Sequence, residues 1–254
     1  MSEDKRALVT GASRGIGRGI VKLLAMKGYH VVANARDAED LKRVARLAPD
    51  RITAAVGDLA VGEERDALVP KAVEVLGGLD LLVSCAGILR YGDIGDIEEQ
   101  DIIQTLKVNL MAPLMLAQAA APHLRQSHGA IVNIASTLGL RPARGMAVYS
   151  ASKAGLISVT RTLAAELAPA VRVNAIALGV VDTDMPRQIR VPHGHEPPAD
   201  PKRAIDAQLE ELRRLHLVGR LGTPENVAQT VLHMAEQRWM TGSIVALDGG
   251  LLAI

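Results

Sequence analysis

Along the chain, short apolar runs alternate with longer stretches in which apolar side chains recur every three or four positions. The short runs fall at residues 7–10, 30–35, 52–56, 79–84, 130–135, 172–177 and 243–247. Most are continuous rather than alternating, the pattern of strands covered on both faces. Between the first two, Ile16, Ile20, Leu23 and Leu24 keep helical spacing, and Gly28 suits the end of that helix. This rhythm predicts an α/β fold: a doubly wound parallel sheet of seven strands, joined by right-handed crossovers with helices on both faces. At 254 residues the chain is long enough to bury the core of one such domain.

One stretch breaks the rhythm. Pro186, Pro192, Pro197, Pro198 and Pro201 crowd together among Arg187, Arg190, His193, His195, Lys202 and Arg203. A helix with Ile205, Leu209 and Leu212 on one side is expected next. Loops of this length are functional or disordered. Its place after the sixth strand is the carboxyl edge, where such sheets bind ligands. The expectation is a substrate lid over residues 184–217, with a solvated insertion as the alternative. His193-Gly194-His195 does not make a metal site without a third ligand, and no metal is expected.

Composition narrows the classes. A net charge of +1, no Phe, one Trp and three Tyr leave neither an electrostatic nor a stacking surface for nucleic acid. Cys85 is the only cysteine, so no intrachain disulfide forms, which suits a reducing cytoplasm. The opening Met1-Ser2-Glu3-Asp4-Lys5-Arg6 carries no apolar signal region. The longest uncharged stretch, residues 108–122, is shorter than the roughly 20 apolar residues of a membrane span. A cytoplasmic protein with no membrane partner is expected.

Two motifs carry chemistry. Thr10-Gly11-Ala12-Ser13-Arg14-Gly15-Ile16-Gly17 joins the first strand to the first helix, where glycines let the backbone approach a pyrophosphate held on the helix N-terminus. At the end of the second strand, Asn34-Ala35-Arg36-Asp37 puts a cation where an NAD site usually has an acid. Arg36, with Arg14 as a second contact, favours NADP(H); NAD(H) remains the alternative, and Asp37 has a ready role as a helix N-cap. The second motif is Tyr149-Ser150-Ala151-Ser152-Lys153, following Ser136. An i, i+4 pair shares one helical face. The Lys153 ammonium is expected to lower the Tyr149 pKa from near ~10, priming the phenol for proton exchange, while Ser136 holds the substrate oxygen. Asn109 precedes Pro113 by four residues, so the helix should kink there and free a carbonyl for a water linking Lys153 to solvent.

With these motifs on the page, the chain resembles the short-chain dehydrogenase/reductase family over essentially its whole length. The matching stretches are the glycine turn, Asn109-Leu110, Ser136, Tyr149 to Lys153, Gly219-Arg220-Leu221-Gly222-Thr223-Pro224-Glu225 and Val245-Ala246-Leu247-Asp248-Gly249-Gly250. The resemblance implies a Rossmann-type dinucleotide fold, Tyr149 as general acid/base, Lys153 as ribose anchor, Ser136 as substrate orienter and Asn109 as relay. It also implies that Asp58, in Gly57-Asp58-Leu59, contacts the adenine, and that Thr183 and Val181 lie near the nicotinamide carboxamide. A homotetramer or homodimer acting on a small ketone or alcohol is implied too. The chain departs from the family pattern at Ser84-Cys85-Ala86-Gly87 and at Leu178-Gly179, both expected beside the cofactor. A thioester substrate on an acyl carrier protein is disfavoured, because Gly129-Ala130 and Pro169-Ala170-Val171 lack the arginines expected for it. The rival reading is a catalytically idle dinucleotide-binding regulator.

Overall fold

The computed structural model describes residues 5–189, 191 and 196–253. Its seven strands are β1 (Arg6–Thr10), β2 (His30–Ala35), β3 (Ile52–Val56), β4 (Leu81–Ser84), β5 (Ala130–Ile134), β6 (Arg172–Leu178) and β7 (Ile244–Leu247). They form one parallel sheet in the order β3-β2-β1-β4-β5-β6-β7. The expected doubly wound α/β fold is therefore the observed one. Winding reverses between β1 and β4, and a crevice opens outside their carboxyl ends.

Alternation along each strand explains the continuous apolar runs. Ala7, Val9, Leu81 and Val83 face a layer formed by α1 (Gly15–Met26), α2 (Ala38–Ala45) and α8 (Pro224–Glu236). Leu8, Leu82 and Ile131 face the opposite layer. That layer holds α3 (Gly62–Leu76), α5 (Ala112–Ser127) and α6 (Ala147–Leu167). Both faces of the central strands are covered, so apolar residues fill most positions on either side, and the buried Asn34, Asn133 and Asn174 each donate a hydrogen bond from Nδ2. Among the described residues no helix is long and apolar enough to cross a membrane.

Two expectations shift in detail. The fourth strand begins at Leu81 rather than at residue 79, because the Asp80 carboxylate takes the Arg6 backbone N–H at 2.7 Å and its guanidinium at 2.8 and 2.9 Å. The irregularity expected before Pro113 takes the form of a π-helical turn, Lys107–Met111, which joins α4 (Glu99–Leu106) to α5, with the Ala112 N–H donating to the Lys107 carbonyl. The wider turn absorbs the missing proline donor while the helix continues.

The last helix of the sheet layer ends on an arginine. Arg172, at the start of β6, donates to the carbonyls of Met234, Ala235 and Gln237 at 2.8, 2.6 and 2.9 Å, satisfying the C-terminal turn of α8. Arg172→Met leaves those carbonyls without that donor. It is expected to cost roughly 2 kcal/mol, or about 4–8 °C in melting temperature, read by thermal denaturation.

Candidate active site

The glycine turn lies in the crevice, and packing dictates much of its sequence. Gly15 holds φ at +51°, which glycine adopts at little cost. A Cβ at Gly11 would sit 2.7 Å from the Cα of Ala86, and one at Gly17 would overlap the Gly11 carbonyl. The Thr10 hydroxyl accepts from the N–H groups of Cys85 and Ala86 at 3.0 and 3.1 Å, fastening the ends of β1 and β4 together. The helix α1 then starts with no side-chain cap and no acid in its first turn. Its first N–H groups are left for an anion.

A cleft of about 750 Å³ runs from this turn across the sheet edge. Gly11, Ser13, Arg14, Gly15, Ile16 and Gly17 line one wall, Arg36, Asp58 and Leu59 one end, and Ala86, Gly87 and Thr183 the rest. These expected cofactor residues come together. At the far end, Arg36 reaches Asp58 at 3.7 Å, and Arg14 pairs with Asp184 at 3.3 Å. Both pairs are exposed enough to contribute little, so either guanidinium can be drawn to a phosphate at small cost. Asp37 caps α2, accepting from the Asp40 N–H at 2.8 Å, as the sequence suggests.

Ser136, Tyr149, Lys153, Asn109 and Val181 do not line the cleft; all are buried. Lys153 and Asn109 stand behind its wall at Gly87. A Cβ at Gly87 would lie 3.6 Å from Lys153 Nζ and 3.5 Å from Asn109 Oδ1. Ser136 sits beyond the end of β5, where its Oγ accepts from the Leu138 N–H at 3.1 Å. Tyr149 and Lys153 occupy the first turns of α6, with Nζ 5.7 Å from the centre of the phenol ring. Lys153 Nζ donates to the Ile134 carbonyl at 2.9 Å. Asn109 clamps the segment after β4: Oδ1 accepts from the Ile88 N–H, and Nδ2 donates to the Ile88 carbonyl, both at 2.9 Å. Nδ2 also donates to Ser152 Oγ at 3.1 Å, so both amide hydrogens are used.

The electrostatics overturn one expectation. Burial pushes the Tyr149 phenol up to about 12, and a hydrogen bond with Ser136 opposes this only in part. Burial also pulls the Lys153 ammonium down to about 8. Desolvation disfavours both charged forms, and it outweighs the attraction that the i, i+4 spacing suggests. Cys85 lies against the same cleft, and burial holds its thiol near 12, an unreactive state.

The expected lid region is seen in part. Met185 and Gln188 line the cleft, and α7 (Pro201–Arg214) is tied to this segment by Gln208, whose Nε2 donates to the carbonyls of Pro186 and Gln188 at 2.7 and 3.1 Å. Leu209 and Leu212 are buried against Leu221, with Ile205 packed beside them, as the helical spacing requires. Arg190 and Pro192-His193-Gly194-His195 lie outside the described residues. Sequence reasoning missed Arg90, which lines the cleft and donates to Asp101 and Gln104 at 3.0 and 3.3 Å. Its place three residues after Gly87 was the available signal.

Comparison with known proteins gives a consistent picture. The short chain dehydrogenase family model matches residues 5–193. The 3-oxoacyl-[acyl-carrier-protein] reductase FabG of Thermotoga maritima is 34% identical, covering 98% of each chain. Carbonyl reductase family member 4 of Danio rerio is 36% identical, again over 98% of each. A crystal structure of a protein named as a short-chain alcohol dehydrogenase, from Sinorhizobium meliloti, superposes with a TM-score of 0.87 at 32% identity, covering 98% of this chain and 96% of the other.

Proposed function

This chain belongs to the short-chain dehydrogenase/reductase family of NAD(P)-dependent oxidoreductases, and from that premise we propose that it reduces a small ketone with NADP(H), Tyr149 supplying the proton. The observation that supports this reading is Lys153 Nζ close behind Gly87, with the Tyr149 ring 5.7 Å from it and Ser136 hydrogen-bonded to the phenol, beside a cleft whose glycine turn fits a dinucleotide. A bound nicotinamide supplies hydride. The chain supplies the rest. The turn at Gly11, Gly15 and Gly17 with the uncapped start of α1 holds the pyrophosphate. Asp58 and Leu59 hold the adenine end, and Thr183 and Val181 belong to the segment assigned to the carboxamide. The Ser136 hydroxyl donates to the carbonyl oxygen and orients it toward the Tyr149 phenol.

A phenol near 12 stays protonated at neutral pH, which suits the reducing direction, in which the oxygen must receive a proton. Lys153 holds ribose hydroxyls and counters negative charge growing on the substrate oxygen and the phenol. Because both Asn109 amide hydrogens are engaged, a relay water would sit at its main-chain carbonyl. The relatives named as 3-oxoacyl-[acyl-carrier-protein] reductases suggest a carrier-bound substrate, but Gly129-Ala130 and Pro169-Ala170-Val171 offer no cation for an acidic carrier. A free small ketone fits better.

Preference for NADP(H) rests on Arg36. Asp37 and Asp40 line the same end and would favour ribose hydroxyls instead, yet each is engaged: Asp37 caps α2, and Asp40 pairs with Arg43 at 2.9 Å. Arg36→Asp is expected to lower the ratio of kcat/KM for NADPH over NADH by roughly 10–100-fold. An unchanged ratio would remove the assignment.

A further inference from the structure

We propose that His216 is a positioning residue for the coenzyme-facing segment 180–184, holding it through the backbone N–H of Val180. The inference rests on the reading above of that segment as facing the nicotinamide.

The chain leaves β6 at Leu178 and runs through Gly179 into this segment, and its backbone groups can be followed one by one. The Leu178 carbonyl accepts from Thr137 Oγ1 at 3.1 Å, and the Gly179 N–H donates to Leu247 at 3.1 Å. The Val180 carbonyl accepts from Gly222, and the Asp182 N–H donates to Gly222, both at 2.9 Å. The Val180 N–H goes to a side chain instead: it donates to His216 Nε2 at 3.0 Å. That ring is 3% exposed, and its Nδ1 lies 2.7 Å from the Leu212 carbonyl in α7.

An amide N–H aimed at Nε2 requires a lone pair there, so the ring proton sits on Nδ1 and is donated to Leu212. Both contacts hold only for this one neutral tautomer. Gly179 makes room for the ring, since a Cβ there would lie 2.9 Å from Nε2. The ring thus joins the end of α7 to a segment whose Thr183 and Asp184 line the cleft. Thr183 in turn packs on the glycine turn, its Cγ2 3.1 Å from where a Gly15 Cβ would be. A shift at Val180 therefore reaches the cofactor wall within three residues.

Two conservative variants separate the ring's contacts. In His216→Gln the amide oxygen reaches the ε position and still accepts from Val180. In His216→Asn the amide sits at the δ position and keeps only the Leu212 contact. Fluorescence titration with NADPH is expected to give an about tenfold or larger rise in Kd for the Asn variant. The Gln variant should stay within about threefold of wild type. Hydrogen exchange of the Val180 amide, measured without coenzyme, should quicken in the Asn variant and stay slow in the Gln variant.

Equal Kd values for Asn and Gln, or a tenfold weaker Gln variant at unchanged melting temperature, would overturn the inference. So would unchanged Val180 exchange in the Asn variant. If the Asn variant does not fold, the Gln criterion still decides. A wild-type protein that binds no nicotinamide dinucleotide sinks the coenzyme reading, while the exchange measurement continues to judge His216 by itself.

Discussion

Tyr149→Phe is expected to lower kcat/KM for carbonyl reduction by roughly 10²–10⁴-fold, the span that a positioned general acid contributes. NADPH affinity should stay within about threefold of wild type, because the substitution removes one oxygen from a side chain that does not line the dinucleotide cleft. The variant keeps the ring and its burial, so its melting temperature should change little. The pH dependence sharpens the test. With the phenol near 12, the wild-type acid is protonated throughout the neutral range, and the reductive rate should show no loss from this group below pH ~10. The oxidative direction needs the phenolate and should climb steadily with pH over the same interval. Steady-state kinetics in both directions, with coenzyme binding measured separately, checks each part. A fully active Phe variant would rule out Tyr149 as the proton donor.

The sheet was legible because its physics is local. Runs such as Leu81 to Val83 are apolar at consecutive positions, the pattern of a strand covered on both faces. The glycine turn was legible because part of its demand is local: Gly11 and Gly15 turn through positive φ, and Gly17 packs on the Gly11 carbonyl six residues back. Spacing also placed Tyr149 and Lys153 on one face of α6. What spacing could not convey was solvation. The direction of the Tyr149 shift depends on how much protein surrounds the phenol, which is a property of the packed layers rather than of the motif. The partners of Arg14 and Arg36 were hidden likewise, since Asp184 and Asp58 lie on other loops brought to the sheet edge by crossovers. His216 carries no motif at all. Its role exists only because Gly179 and the end of α7 meet around it.

Lys153→Met is expected to divide stability from function. The ammonium is 4% exposed, and burial lowers its pKa from 10.5 to about 8. Holding it charged in the folded protein therefore costs on the order of 3 kcal/mol below pH 8. Met removes that cost but leaves the Ile134 carbonyl without its donor, a loss of about 1–2 kcal/mol. The net expectation is a variant about 1–2 kcal/mol more stable at pH 7, melting roughly 2–8 °C higher. The sign follows from proton counting. Between pH 8 and 10.5 the unfolded chain binds more protons at this lysine than the folded one, so wild-type stability rises with pH there. The advantage of the variant is then largest below pH 8 and closes toward 10.5. Function should move the other way, with kcat/KM falling by roughly 10²-fold or more as the charged donor to the ribose and to the developing oxyanion is lost. Wild-type affinity for NADPH should also weaken as pH rises through about 8, where the ammonium loses its proton, while the Met variant shows no such step. Thermal melts across pH with coenzyme titrations on both proteins measure all of this. A variant that is less stable at pH 7, yet still binds NADPH with the wild-type pH dependence, would mean that this lysine supports the fold rather than the chemistry.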